Sequence, residues 1–215
     1  MDNIKFALDD IVLVQETMSN INSRMEIITK DIIGKLPIMI APMDSVINDD
    51  NAKLFKEHGL ITFSIRKPEL NKVFYKDVYF IGNNLYDYTS ISLQQLIEIN
   101  ETNNIIYTGI LVDIAHGGLQ LLFDNVKSFK EKYKNVPIVV GNVANPETYR
   151  KWCEILTNID SIRCSIGIGS ACTSAAITGI FYPMGSLIKE IYDISKTMEN
   201  TPKIIADGGV KNFDE

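Results

Sequence analysis

The stretch Ile110–Gly118 reads ILVDIAHGG, and the fold class follows from it and from the residues after it. It begins as an apolar run rich in β-branched residues and meets the acid Asp113, which is typical of a buried strand and its end. Leu119–Tyr133 then has the spacing of an amphipathic helix. A short strand followed by a longer helix is the repeating unit of parallel α/β folds, so this stretch predicts one βα unit.

The same alternation of short apolar runs and longer amphipathic stretches extends along the chain. Strands are predicted at Pro37–Ala41, Leu60–Ser64, Val78–Ile81, Ile110–Asp113, Pro137–Gly141, Ser161–Ser165 and Lys203–Ala206. Helices are predicted at Asp50–His58, Ser92–Asn100, Leu119–Tyr133, Pro146–Leu156 and Ser186–Met198. Strands and helices in this order predict an α/β fold, a (β/α)8 TIM barrel truncated after strand seven.

A barrel of this type closes with eight strands, so the prediction leaves one strand unaccounted for. We expect the eighth strand from a further part of the polypeptide or from another chain, unless the sheet is open with a covered edge. Residues 1–215 are interpreted as a single domain, because no low-complexity tract or Pro/Ser linker divides them. The less regular segment 1–35 is expected to wrap the outside of the barrel.

Composition argues against several classes of protein. The 215 residues are 46% hydrophobic, which is enough for one sizeable core. The net charge is -6 and no basic run with interleaved aromatics occurs, which disfavours nucleic acid as a partner. No apolar run approaches the roughly 20 residues that span a bilayer. With 3 cysteines and no signal-peptide pattern, the chain is predicted to be soluble and cytoplasmic, without a membrane partner.

One candidate for chemistry is the loop in Cys164–Pro183, which reads CSIGIGSACTSAAITGIFYP. It follows a predicted strand, and the active site of a βα barrel is built from the loops at the carboxyl ends of the strands. Exposed amide donors in such a loop would lower the pKa of Cys172, and the thiolate is the nucleophilic form. The alternative is a buried structural cysteine, which is what free cysteines usually are.

A second candidate is the strand end Ile204–Gly209, which reads IIADGG. The carboxylate of Asp207 is placed to accept hydrogen bonds from sugar hydroxyls, and the amides of Gly208 and Gly209 are placed to bind phosphate. An ordinary Asp-Gly-Gly turn explains the same residues.

The strand end at Asp113 repeats this pattern, with His116 in the turn that follows. His116 is a candidate proton carrier, although a lone histidine more often forms a local hydrogen bond. Arg163 lies in an apolar strand, where an unpaired charge is costly. Either it meets a phosphate or a carboxylate, or its side chain points outward.

Together these motifs resemble the IMP dehydrogenase and GMP reductase family of purine nucleotide oxidoreductases. The matching elements, in chain order, are Leu8–Leu13, Asn22–Arg24, Ala41–Val46, Asp113–Gly117, Gly141–Val143, the Cys172 loop and Ala206–Gly209. Each motif alone is weak, but their shared order along the chain makes the resemblance specific.

The resemblance implies a chemistry and assigns residues to it. Cys172 would attack carbon 2 of the purine, Ser174 would help to move the proton that accompanies ammonia release, and a nicotinamide cofactor would give or accept a hydride. The residues implied to bind the purine mononucleotide are Met43, Asn142, Arg163, Ser170, Asp207, Gly208 and Gly209. Those implied to contact the cofactor, NADPH or NAD, are Ser23, Arg24, Arg66, Asp113, Ile114, Ala115, Ile166 and Gly167. A potassium site is implied at the backbone carbonyls of Gly167, Gly169 and Cys172.

Three functions remain open within this resemblance. The segment Arg66–Thr108 is too short for the regulatory module of most IMP dehydrogenases, which favours a GMP reductase that converts GMP to IMP with NADPH. Arg163 favours an IMP dehydrogenase that oxidises IMP to XMP with NAD, because GMP reductases more often carry lysine there. A third function is an inactive nucleotide-binding subunit of a larger assembly. It fits the prediction of only seven of the eight barrel strands, and it fits Ala175, which stands in place of a basic residue. Related barrels form tetramers, so the resemblance also implies a homo-oligomer.

Overall fold

The computed structural model describes residues 4–12, 14–15, 17–23, 26, 35–66, 79–81, 86–101, 105–107, 109–166 and 179–210. The helices are α1 (Asp49–Glu57), α2 (Leu93–Glu101), α3 (Gln120–Lys132), α4 (Pro146–Trp152) and α5 (Met184–Lys196), and a 3-10 turn covers Leu8–Asp10. The strands are β1 (Met39–Ile40), β2 (Ile61–Thr62), β3 (Tyr79–Ile81), β4 (Thr89–Ile91), β5 (Ile105–Tyr107), β6 (Ile110–Asp113), β7 (Ile138–Val143), β8 (Ser161–Cys164) and β9 (Lys203–Ala206). Within the described ranges, no helix has both the length and the apolar character that a bilayer crossing requires.

The main sheet is parallel and five-stranded, in the order β4-β6-β7-β8-β9. Strands β1 and β2 form a separate parallel pair, and a parallel bridge between Phe63 and Tyr88 joins the end of β2 to the start of β4. The resulting order β1-β2-β4-β6-β7-β8-β9, with a helix after each of β1, β4, β6, β7 and β8, corresponds to seven strands of a (β/α)8 barrel. The predicted α/β barrel class is thereby confirmed.

The third strand of the barrel differs from the prediction. Residues 79–81 do form a strand, but β3 pairs with β5 in a two-stranded sheet of its own. The third barrel strand is β4, which the sequence analysis missed because Thr89–Ile91 is short and rich in hydroxyls rather than apolar. Hydrogen bonds compensate for this polarity, since the buried Ser90 donates its amide to Ser64 Oγ (3.0 Å) and its hydroxyl to the Ser64 carbonyl.

Side chains along the strands alternate between two apolar layers, as the pleat of a β-strand requires. The larger layer packs the outer face of the sheet against the helices and includes Val112, Val140 and Ile162. The smaller layer contains strand residues from the inner face, among them Leu111 and Val139. Consecutive residues within β6, and within β7, therefore pack in different layers. The inner layer lies beneath the carboxyl ends of the strands.

Two ion pairs lie at the amino ends of the strands, opposite the predicted site. Lys130 on α3 meets the fully buried Asp160, with 2.9 Å between Nζ and Oδ1, and Asp160 also accepts the Ile138 amide at 3.0 Å. Lys35 donates to both carboxylate oxygens of Asp87, at 2.8 and 2.7 Å. Polar groups at this end of a barrel contribute to stability, whereas those at the opposite end build the active site.

The amino-terminal segment docks on the start of α5. The Phe6 amide donates to Ser186 Oγ at 2.7 Å, and the Phe6 carbonyl accepts from the Ser186 amide at 2.9 Å. Lys5 donates to the Tyr182 hydroxyl at 2.7 Å and pairs with Glu190. These contacts satisfy a free amide in the first turn of α5, which its own N-cap residue leaves without a side-chain partner.

Candidate functional site

A cluster of polar side chains lies at the carboxyl ends of four neighbouring strands. Asp113 is the last residue of β6, Asn142 lies near the end of β7, Arg163 lies on β8, and Asp207 directly follows β9. These strands are adjacent in the sheet, so residues up to 94 positions apart in sequence, 113 and 207, meet at one edge. This is the end of a βα barrel that carries the active site.

Strand register and one glycine allow the cluster to form. Asp113 aligns with Gly141 and Gly141 aligns with Arg163, so these residues form one row across three strands. A Cβ on Gly141 would lie 2.5 Å from the Arg163 Cβ and 2.7 Å from the Arg163 carbonyl oxygen. Only glycine tolerates this close approach of β7 and β8, and the missing side chain leaves space for Arg163 to reach over β7.

The guanidinium of Arg163 joins two carboxylates. Its Nη1 donates to Asp113 Oδ1 at 3.0 Å, and its Nη2 donates to Asp207 Oδ2 at 2.9 Å. Asn142 donates its Nδ2 to the same Asp207 oxygen at 2.6 Å. The Arg163 side chain is only 11% exposed, so this charge is held in the fold by its partners rather than by water. The alternative that Arg163 points outward is therefore wrong.

Each carboxylate has one oxygen that accepts no hydrogen bond from the part of the chain that the structure describes. Within the described residues, the side-chain hydrogen bonds to these carboxylates go to Asp113 Oδ1 and Asp207 Oδ2, and no described residue donates to Asp113 Oδ2 or Asp207 Oδ1. The two side chains remain 31% and 26% exposed, respectively. An ionised carboxylate accepts hydrogen bonds only, so both free oxygens suit ligands with donor groups such as sugar hydroxyls.

The Asp207 turn is shaped by the two glycines that follow. Gly208 and Gly209 have φ angles of 80° and 75°, in the left-handed region that favours glycine. Ser165 supports the turn from β8, because its hydroxyl donates to the Asp207 carbonyl at 2.8 Å. Ser165 itself has a φ of 142°, which is unusual for a residue with a side chain. Ser165 was not predicted as a site residue, since no local motif marks a serine that acts through a residue 42 positions away.

A second basic group lies beside Asp113. Arg66 lies two residues after Ser64, the residue that is hydrogen-bonded to β4. The Arg66 side chain is exposed, and its Nη1 donates a hydrogen bond to the Asp113 carbonyl at 3.1 Å. The Ile114 amide donates to the Gly141 carbonyl at 2.8 Å, which fixes the turn after β6. Ala115 and His116 are exposed in that turn. The structure therefore brings together Arg66 and the Asp113–Ala115 turn, which the resemblance assigns to the cofactor.

Two of the three cysteines lie in environments that suppress thiolate formation. Burial raises the pKa of the Cys164 thiol well above its ordinary value, and the negative charge of Asp207 raises it further. Burial also raises the pKa of Cys153, despite a hydrogen bond to Tyr149. The charge of Arg150 favours the thiolate of Cys153, but burial outweighs it, so neither thiol is activated as a nucleophile. Cys172, the predicted nucleophile, lies outside the described residues.

The remaining predicted residues fall into two groups. Met43, Ser23 and Ile166 are described but take no part in the hydrogen bonds around Arg163; Met43 forms a turn after β1 by accepting the Val46 amide at 2.8 Å. Arg24, Gly167, Gly169, Ser170, Cys172 and Ser174 lie outside the described residues. The predicted potassium site and the predicted nucleophile therefore stay predictions.

Comparison with known proteins places this site in context. A family model for the IMP dehydrogenase / GMP reductase domain matches residues 96–215. A GMP reductase of Ligilactobacillus salivarius is 30% identical over 96% of the chain, and one of Lysinibacillus sphaericus is 30% identical over 98%. An inosine-5'-monophosphate dehydrogenase of Staphylococcus haemolyticus is 36% identical over 57% of the chain. The chain spans less than two thirds of each relative: 64% of both reductases and 23% of the dehydrogenase.

Proposed function

Since the chain belongs to the IMP dehydrogenase / GMP reductase family, we propose that it is a purine nucleotide oxidoreductase that converts GMP to IMP with NADPH. The choice of GMP reduction over IMP oxidation rests on how much of the chain the two groups of named relatives match. Relatives named GMP reductase align with nearly the whole chain, including its amino-terminal motifs, whereas the dehydrogenase relative aligns with little more than half. A homo-oligomer, as in related barrels, is part of this proposal.

In this function the end of β9 holds the nucleotide. The free Oδ1 of Asp207 accepts hydrogen bonds from the ribose hydroxyls, while Oδ2 is held by Arg163 and Asn142. The amides of Gly208 and Gly209, two residues that carry no Cβ of their own, bind the phosphate. Ser165 fixes the position of this turn through the Asp207 carbonyl.

The end of β6 fits a nicotinamide dinucleotide. The free Oδ2 of Asp113 is an acceptor for a ribose hydroxyl, and the exposed guanidinium of Arg66 beside it suits a phosphate oxygen. When bound, the reduced nicotinamide supplies the hydride. Asp113 would hold the ribose of the dinucleotide, and the Arg163 guanidinium would connect this carboxylate to Asp207.

The covalent chemistry is assigned to Cys172. Its thiolate attacks carbon 2 of GMP and forms a carbon–sulfur bond, and the 2-amino group leaves as ammonia after it gains a proton with the help of Ser174. A hydride then adds to carbon 2, the carbon–sulfur bond breaks, and IMP and the Cys172 thiolate are released. The net reaction consumes GMP, NADPH and two protons, and yields IMP, NADP⁺ and ammonium.

The second candidate is the oxidation of IMP to XMP with NAD⁺. It is favoured by the higher identity of the shorter matches to relatives named inosine-5'-monophosphate dehydrogenase. It uses the same cysteine and the same two carboxylates, but the hydride leaves carbon 2 and water releases the product.

Absorbance of the reduced nicotinamide tests these proposals on the full polypeptide. We expect consumption of NADPH with GMP, and no production of NADH with IMP and NAD⁺. Cys172→Ala should abolish turnover, while Cys153→Ala, a change at the end of α4, should retain it. NADH production from IMP would assign the second candidate instead. Binding of GMP without turnover of either substrate would contradict both and support an inactive nucleotide-binding subunit. Repeating the assay with sodium in place of potassium tests the implied cation site.

A further inference from the structure

We propose that Arg163 is a positioning residue that makes the nucleotide and the dinucleotide bind cooperatively. This inference rests on the proposed function, because it takes Asp207 as the nucleotide's ribose acceptor and Asp113 as the dinucleotide's. The Arg163 guanidinium connects the two carboxylates and donates to each of them through a different nitrogen.

The first reason for this coupling is the shape of the Arg163 side chain. A guanidinium is planar and rigid, so the directions of its Nη1 and Nη2 donors are fixed relative to each other. Asp113 Oδ1 lies 3.0 Å from one nitrogen and Asp207 Oδ2 lies 2.9 Å from the other. A carboxylate that shifts on one side therefore turns the donor that holds the carboxylate on the other side.

The second reason is the tight packing around the base of the Arg163 side chain. The Arg163 Cβ and backbone lie against Gly141 so closely that no side chain fits between them. With its stem held there and its side chain nearly buried, the guanidinium has few alternative positions. Order imposed on one carboxylate by a ligand is thus passed to the other, and the second ligand loses less conformational entropy on binding.

Lysine in place of Arg163 would keep the positive charge but remove the rigid bridge between Asp113 and Asp207. An ammonium is a point charge on a flexible stem and lacks the two fixed donor directions of a guanidinium. Arg163→Lys should therefore weaken the dependence of one binding event on the other, beyond any change in the two separate affinities. Coupling between sites is reciprocal, so either ligand reports it.

Calorimetric titration of the full polypeptide with GMP, alone and with saturating NADP⁺, tests this inference. The pair has no hydride to transfer, so binding is measured without turnover. For the wild type we expect GMP to bind about fivefold more tightly or better when NADP⁺ is present. With 2'-deoxy-GMP, which lacks one ribose hydroxyl, the enhancement should be smaller. In Arg163→Lys it should fall to within about twofold of none.

Two further variants separate positioning from stability. Asp113→Asn alters the same bridge from the other side and should also reduce the enhancement. Lys130→Arg, an exchange at the buried pair at the opposite end of the barrel, should leave it unchanged. An equal enhancement in wild type and both bridge variants would overturn the inference, as would its absence or reversal in the wild type. A wild type that binds no purine nucleotide would overturn the proposed function as well, so the two failures are distinguishable.

Discussion

Arg163 on β8 reaches Asp113 on β6 across the intervening strand β7, with 3.0 Å between Nη1 and Oδ1. The contact is made above Gly141, which occupies the position between them in the row of aligned residues. The Arg163–Asp113 pair spans β7 and needs the space that Gly141 leaves open, because a side chain at that position would lie between the guanidinium and the carboxylate. The glycine is therefore as much a part of the candidate site as the charges are.

Substitution of this glycine tests the packing directly. In Gly141→Ala the new Cβ would overlap the Arg163 Cβ and carbonyl, so β7 and β8 must separate. We expect the free energy of unfolding to fall by about 1–3 kcal/mol, measured by urea denaturation. Gly118→Ala is the matched control, since its nearest neighbour is the movable ring of His116 at 3.1 Å, and it should cost clearly less. Equal losses in the two variants would show that the approach of β7 and β8 is not tight.

Asp87 should contribute to the acid sensitivity of the fold. Burial alone would raise the pKa of its carboxyl, but hydrogen bonds from Lys35 and the Thr62 amide, with the charge of Lys56, hold it below its ordinary value of 3.8. A lowered folded-state pKa gives stability that is present above the unfolded-state pKa and is lost as the pH falls through the folded-state value.

The measurement is urea denaturation at a series of pH values from about 7 to about 2, spanning the ordinary carboxyl range. Asp87→Asn should be less stable at neutral pH and should show a shallower loss of stability below about pH 4. Asp193→Asn, in an exposed pair with Lys189 on α5, is the control and should follow the wild type. An acid limb in Asp87→Asn as steep as in the wild type would contradict this account.

The three cysteines should differ sharply in reactivity. Burial raises the thiol pKa of both Cys164 and Cys153, so both are held in the protonated, unreactive form at neutral pH. Limited alkylation with iodoacetamide near pH 7, followed by peptide mass analysis, should therefore modify Cys172 first. Prior GMP binding should slow this modification. Faster labelling of Cys164 or Cys153 than of Cys172 would argue against Cys172 as the activated thiol.

Much of the fold and part of the site were predictable from local patterns. Strand ends with an acid and glycines, at Asp113 and Asp207, identified two of the strands and both carboxylates. What local patterns do not encode is pairing across the sheet. The Arg163 bridge depends on the register of β6, β7 and β8, and the sequence alone left the direction of that side chain open.

The errors have the same physical origin. Thr89–Ile91 was missed because its hydroxyls are compensated by Ser64, a residue on another segment. Residues 79–81 have the β-branched, aromatic composition of a strand, but composition does not say which strand they pair with. Ser165 carries an unusual φ and holds the Asp207 turn, and neither property is visible in a run of residues.

The most direct test of the central claim follows the hydride itself. The full polypeptide is incubated with GMP and NADPH that carries deuterium in both positions at carbon 4 of the nicotinamide, and the purine product is examined by mass spectrometry and proton NMR. We predict IMP with deuterium at carbon 2, formed together with ammonia, and no product from Cys172→Ala. IMP without deuterium, or labelled IMP formed equally well by Cys172→Ala, would contradict it.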